Sequence, residues 1–190
     1  MAGKKTVGVL ALQGAFAEHQ NVLKRCGVGV HRVRSIDDLA SIDGLIIPGG
    51  ESTTIGKLLV DFKLADRVIE LARGGMPVFG TCAGMIVMAR EIPGHDQYSL
   101  GLMDISAKRN AFGRQVESFE ADLDVKGISK KVKGIFIRAP YVDRVWGDAK
   151  ILCEYQDKIV MVKQHNLLAS AFHPELTKDL TVHNYFLEML

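Results

Sequence analysis

Short apolar runs alternate with stretches of helical spacing through the first half of the chain. Thr6–Leu12 is rich in β-formers and is bounded by Gln13-Gly14. Ala15–Cys26 has helical spacing, with Phe16, Val22 and Leu23 as inward residues, and stops at Gly27. Val28–Val33 reads as a strand. Asp43-Gly44 introduces the run Leu45–Ile47, which ends at Pro48-Gly49-Gly50. Ser52 and Thr53 are placed to cap a helix that continues through Leu58-Leu59. A second helical stretch, Leu64–Ala72, ends at Gly74-Gly75, and Met76–Phe79 is the next buried strand. It runs into Gly80-Thr81-Cys82-Ala83-Gly84 and a helical stretch, Met85–Arg90.

Strands that alternate with helices imply right-handed crossovers and an α/β fold whose parallel sheet is covered on both faces. From about residue 100 the texture changes. Short β-like runs crowd together at Leu102–Ala107, Phe119–Val125, Gly134–Ile137, Ile151–Tyr155, Ile159–Val162 and Leu168–Phe172. They fit an antiparallel extension or extra strands on the same sheet. Thr181–Leu190 reads as a closing amphipathic helix. No repeat, low-complexity tract or flexible linker divides the chain.

Three local patterns carry chemistry. Gly80-Thr81-Cys82-Ala83-Gly84 is a G-x-C-x-G turn between a buried strand and a helix. A nucleophile on such a turn needs small neighbours, and the helix N-terminus favours a thiolate. The next residue, Ala83, can offer its backbone N–H to an oxyanion. The pentapeptide alone fits a small buried cysteine equally well. His173-Pro174-Glu175 supplies a base and an orienter, because residues two apart on an extended segment share a face. By itself, H-P-E reads more simply as an ordinary strand-end histidine and a surface glutamate; paired with the cysteine elbow it reads as catalytic. Pro48-Gly49-Gly50-Glu51-Ser52-Thr53 follows another strand. The P-loop pattern is absent, so Gly49 and Gly50 are better read as an oxyanion hole facing Cys82, or as a plain loop before a capped helix. All three patterns fall at strand ends, where open α/β sheets place their sites.

Composition and charge narrow the picture. Of 190 residues, 47% are hydrophobic and 24% charged, the balance of an ordinary soluble domain. A domain of that size buries roughly 70% of its unfolded surface and needs no staple. The net charge is +2, and the basic residues are scattered, which argues against nucleic acid or a membrane surface as partner. Cys26, Cys82 and Cys153 are odd in number and widely spaced, with no C-x-x-C. That argues against a disulfide framework or a zinc site, so no metal and no cofactor are expected. A reducing compartment follows. The apolar VGVLAL is too short to span a membrane and is closely followed by Glu18 and His19, so a cytoplasmic protein is expected.

PGGES, GTCAG and HPE, in that order, resemble the class I, triad-type glutamine amidotransferases. GVLALQGAFAEH, GGESTTIGKLL, KRNAFGRQVESFEADL, FIRAP and SAFHPELT narrow the resemblance to the glutaminase subunits of pyridoxal 5′-phosphate synthases, over essentially the whole chain. The resemblance implies a single-domain, flavodoxin-like three-layer sandwich over residues 1–190. It implies that Cys82 attacks the side-chain amide of L-glutamine, that His173 activates the thiol and protonates the ammonia, and that Glu175 orients His173. Water then hydrolyses the thioester to glutamate. It implies glutamine contacts from Gly50, Glu51, Ser52, Arg109, Ile137 and Arg138, and a place for Gln13 near the docking surface. The implied partner is a (β/α)₈-barrel synthase subunit in a large ring-shaped assembly. That subunit makes pyridoxal phosphate from a pentose phosphate and a triose phosphate. RNAFGRQ and FIRAP argue against a glutaminase serving imidazole glycerol phosphate synthase, and the terminal H-P-E argues against DJ-1- and PfpI-type proteins. The intact triad argues against an inactive scaffold.

Overall fold

The computed structural model describes residues 5–109 and 118–190. The first half runs β1 (Thr6–Leu10), α1 (Phe16–Arg25), β2 (Gly29–Val33), β3 (Gly44–Ile47), α2 (Ser52–Asp61), α3 (Ala65–Arg73), β4 (Val78–Thr81) and α4 (Ala83–Met88). The second half adds β5 (Ala89–Glu91), β6 (Met103–Lys108), β7 (Ser118–Leu123), β8 (Val132–Ile137), β9 (Tyr141–Val145), β10 (Lys150–Tyr155), β11 (Lys158–Gln164), β12 (Leu167–Ser170) and α5 (Thr181–Leu187). Part of the KRNAFGRQVESFEADL stretch lies outside the described residues.

The main sheet has the order β2-β1-β3-β4-β12-β11-β9-β6-β5, with β10 also paired to β11. The run β2-β1-β3-β4-β12 is parallel throughout. This is the flavodoxin order, with β12 taking the fifth place. Beyond β12 the sheet continues through antiparallel pairings of β11, β9 and β6. β7 and β8 form a separate antiparallel pair.

Residues of β3, β4 and β12 are buried without alternation, as expected of strands covered on both faces. Neighbours on β4 show the two faces. Phe79 meets His19 of α1 and both His183 and Phe186 of α5. At Gly80 a Cβ would instead meet Gly84 and Met88 of α4 at 2.6 Å. α2 packs on α4, completing the layer on that side. No helix among the described residues is long and apolar enough to cross a membrane.

Three local expectations change. The helix expected over Met85–Arg90 stops at Met88, because Ala89–Glu91 leaves it to pair with β6. β9 is an unexpected strand: Asp143 and Arg144 obscure its apolar pattern, yet it pairs with both β6 and β11. The cap of α2 is Glu51 rather than Ser52 or Thr53. Its carboxylate accepts from Thr53 N at 3.2 Å and Thr54 N at 2.7 Å, satisfying two orphan amides of the first turn.

Candidate active site

The register of the parallel strands brings three loops together. Ile47 pairs with Gly80, and Thr81 pairs with Ser170. Pro48-Gly49-Gly50, Cys82 and His173 therefore leave adjacent strands at the same carboxyl edge. Gly49, Gly50, Cys82 and His173 line a cavity of about 440 Å³ there.

Cys82 caps α4 with φ +50° and ψ −105°. Such a conformation costs a non-glycine residue on the order of 1–3 kcal/mol and persists only where the surroundings enforce it. Gly84 is part of that enforcement: a Cβ there would run into the carbonyl oxygen of Ile47, so α4 can lie close against β3 only with glycine at this position. The elbow leaves Cys82 almost wholly buried, with 8% of its surface exposed at the cavity floor.

The His173 ring faces the Cys82 side chain on one side, and both line the cavity. Its Nδ1 lies 2.6 Å from Oε1 of Glu175 on the other. The His173 N–H donates to the Ile135 carbonyl of β8 at 2.8 Å, and Pro174 starts a 3₁₀ turn, Pro174–Leu176, that folds the carboxylate back under the ring. Burial opposes charge on the imidazole. The neighbouring Cys82 side chain and the hydrogen-bonded carboxylate of Glu175 outweigh that and hold it well above its usual value. Burial likewise opposes charge on Glu175, but nearby His19 and the hydrogen-bonded His173 keep its carboxyl below the usual range. Thiol, imidazole and carboxylate thus stand in line, able to deliver a nucleophile and to protonate a leaving amine.

Gly49 packs under the His173 ring, and a Cβ there would overlap it. The backbone of this loop is anchored on two sides. The Gly49 N–H donates to Thr81 Oγ1 at 3.1 Å, and the Gly49 carbonyl accepts from Ala15 N at 2.9 Å. Of the amides expected to form an oxyanion hole, Gly49's is therefore engaged in this structure. Those of Gly50 and Ala83 remain.

The residues expected to contact the substrate, Gly50, Glu51, Ser52, Arg109, Ile137 and Arg138, all line the same cavity. Arg109 is already engaged, donating to Glu51 Oε1 at 3.1 Å, Thr53 Oγ1 at 3.2 Å and Gln97 Oε1 at 2.9 Å. Gln13 stands just outside the cavity lining; its Oε1 accepts the Glu51 N–H at 2.8 Å.

The motifs did not pick out Gln97, His19, Thr81 or His183. Gln97 accepts from Arg109, Ser52 and Thr53, on a segment with no periodic signal. His19 and His183 are fully buried behind Glu175. A readable signal existed for His19, which shares the inward spacing of Phe16, Val22 and Leu23 on α1.

A family model described as the SNO glutamine amidotransferase family matches residues 9–190. The chain is 59% identical to the pyridoxal 5′-phosphate synthase protein PdxT of Pelotomaculum thermopropionicum, covering 96% of this chain and 93% of that one. It is 57% identical to PdxT of Moorella thermoacetica, covering 97% and 98%. A solved structure titled as a glutamine amidotransferase superposes with a TM-score of 0.93 at 49% identity, covering 96% of this chain and 97% of the other. The structure of PurLQS from Thermotoga maritima shares the fold, with a TM-score of 0.72 at 18% identity, covering 98% and 99%. Triad-like geometry, fold and sequence agree over nearly the whole length: the chain belongs to the SNO glutamine amidotransferase family.

Proposed function

We propose that this chain hydrolyses L-glutamine to L-glutamate and ammonia and supplies the ammonia to a synthase subunit that makes pyridoxal 5′-phosphate. The observation that carries the reading is the Cys82–His173–Glu175 line on the cavity floor, in a chain 59% identical to a PdxT. Cys82 gives its thiol proton to His173, and its Sγ attacks the side-chain amide carbon. The amides of Ala83 and Gly50 take the negative charge on the oxygen. His173 passes its proton to the departing nitrogen, ammonia leaves, and a γ-glutamyl thioester remains. His173 then takes a proton from water, which attacks the thioester; the C–S bond breaks, the sulfur takes that proton back from His173, and glutamate leaves with the thiol restored. Glu175 holds the ring orientation through both steps.

In this reading Arg109 and Arg138 flank the substrate's α-carboxylate at the cavity wall, where a guanidinium fork suits it. Residues 1–190 act as one amidotransferase domain in the cytoplasm. Gln13, bridging the β1–α1 loop to Glu51, lies where a docked synthase subunit of a ring-shaped assembly can act on the Gly49-Gly50 loop. The test is to follow glutamate release when the chain is mixed with its pyridoxal phosphate synthase partner, with Cys82→Ala as the blank. No glutamate above the blank would overturn the reading.

A further inference from the structure

Behind the carboxylate of Glu175 lies a buried polar cluster that the reaction scheme leaves without a task. His19 Nδ1 is 3.0 Å from His183 Nε2, and His19 Nε2 is 3.0 Å from Thr81 Oγ1. The same Nε2 is 3.5 Å from Oε2 of Glu175, the carboxylate oxygen that has no hydrogen-bond partner among the described residues. Thr81 Oγ1 also accepts the Gly49 N–H at 3.1 Å. His19, Thr81 and His183 are all fully buried. Buried polar groups are kept only where their hydrogen bonds are satisfied, so the direction of each bond can be worked out.

Burial holds both histidines neutral, each with one ring N–H. Two arrangements fit the 3.0 Å contact between them. In the first, His19 Nδ1 donates to His183. His183 then carries its own hydrogen on Nδ1, a buried position with no partner among the described residues. The bare Nε2 of His19 then faces the Glu175 carboxylate, lone pair against anion. In the second, His183 Nε2–H donates to His19 Nδ1, and His183 Nδ1 is a bare acceptor. His19 then carries its hydrogen on Nε2, directed at Thr81 and the carboxylate. The second arrangement leaves no ring N–H orphaned and removes the repulsion. Its cost is that the Thr81 hydroxyl, which already accepts the Gly49 N–H, loses the ring nitrogen as acceptor for its own hydrogen. Each arrangement leaves one buried donor without an acceptor, so the charge decides: a ring N–H facing the Glu175 carboxylate at 3.5 Å is favoured over a lone pair facing it, and the second arrangement wins.

We propose that His19 is a positioning residue of the amidase site, its Nε2–H shared between Glu175 and Thr81. On one side it fixes the carboxylate that orients His173. On the other it fixes the hydroxyl that holds the Gly49 amide and, with it, the loop carrying the Gly50 N–H. One hydrogen therefore ties the orienter of the base to the oxyanion loop. The inference rests on the glutaminase reading.

The test measures kcat and KM for glutamine in the complex with the pyridoxal phosphate synthase partner. His19→Asn keeps a polar group where Nδ1 stood and loses the donor at Nε2. Its kcat is expected to fall on the order of tenfold to a hundredfold while KM barely moves, since misplacement rather than binding is disturbed. His19→Gln returns an N–H where Nε2 stood and is expected to recover most of the loss. A purely structural role would lower thermal stability in both variants without this split. Thr81→Val and Thr81→Ser repeat the test should His19→Asn not fold: valine is expected to lose kcat and serine to keep it. A folded His19→Asn with wild-type kcat overturns the inference, as does a folded His19→Gln as slow as His19→Asn, or Thr81→Val equal to Thr81→Ser. In those cases an active wild type leaves the glutaminase reading standing. A wild type without turnover sinks both.

Discussion

The Nδ1 of His173 lies 2.6 Å from Oε1 of Glu175, a partner only two residues further along the chain. Pro174 makes so local a pairing possible, because it fixes the turn that folds the carboxylate beneath the imidazole. The base and its orienter are thus one rigid unit. His173→Asn is expected to cost glutaminase activity nearly as much as losing the nucleophile, because members of such a unit do not contribute additively. Glu175→Gln keeps the shape and loses the charge, so a smaller loss is expected. Steady-state turnover of both variants checks the order; near-normal activity in His173→Asn removes the histidine from the scheme.

The three cysteines differ in their surroundings. Cys82 faces the cavity beside a charged imidazole. Burial pushes the thiol of Cys153 up to about 11, and it raises that of Cys26 as well. A glutamine-like electrophile at neutral pH is expected to label Cys82 alone, and Cys82→Ala to abolish hydrolysis. Cys26→Ala and Cys153→Ala are expected to retain most activity. Peptide mass spectrometry after labelling decides the assignment, and an adduct on Cys26 or Cys153 with loss of activity overturns it.

The close approach of α4 to β3 makes Gly84 a structural position. An added methyl meets the Ile47 carbonyl oxygen, which belongs to the backbone of a central strand and cannot swing aside. Gly84→Ala is expected to destabilise the protein by about 1–3 kcal/mol, the usual cost of overpacking. In a domain of this size that is a fall of several degrees in melting temperature. A melting curve unchanged from wild type would mean that the elbow has slack.

The raised value of His173 sets a pH dependence of stability. Its folded value, about 10, lies above the ordinary 6.5. Its contribution is therefore fully present below 6.5 and is lost as pH rises toward 10. Glu175 has the opposite sign, its contribution being present above its ordinary 4.5 and lost as pH falls further. The excess stability of wild type over His173→Asn is expected to shrink steadily from pH 6.5 upward. Paired denaturant melts across that range test it, and a constant difference contradicts it.

Dependence on the partner is expected at the Gly49-Gly50 loop. Its position is held by Ala15 N, Thr81 Oγ1 and, through Glu51, by Gln13. A synthase subunit that touches the β1–α1 loop can bias this peptide, and losing one oxyanion donor costs on the order of a hundredfold or more in rate. Glutamine hydrolysis is expected to rise when the synthase subunit is added and to rise less in Gln13→Ala. Equal rates with and without the partner would dismiss the idea of gating while leaving the chemistry intact.

The fold was legible in the sequence wherever apolar runs were buried on both faces, as in Leu45–Ile47 and Met76–Phe79. It was less legible in the second half. There β9 hides behind Asp143 and Arg144, and β5 is a three-residue strand that begins where α4 stops. Motifs named Gly49, Gly50, Cys82 and His173 of the cavity lining because glycines and a cysteine at strand ends leave a strong local pattern, whereas Arg109, Ile137 and Arg138 were reached only through the family resemblance. They could not name His19, Thr81 and His183 as a group. Those residues meet only through tertiary packing, across 164 positions between the two histidines. The commitment of Glu51 to capping was also hidden, since Ser52 and Thr53 are the more usual caps by type.

The place of β12 between β4 and β11 bears on how the chain matures. Cys82 and its elbow belong to the first half, whereas β12, which delivers His173, follows every other strand of the described residues and must enter the middle of the sheet. During synthesis the sulfur exists for a time with no base opposite it, and the sheet has an unfilled slot where β12 belongs. An incomplete chain released at that stage carries the nucleophile without the residues that would activate it. Nucleophile and base thus come from distant parts of the chain, and they face each other only when β12 lies between β4 and β11.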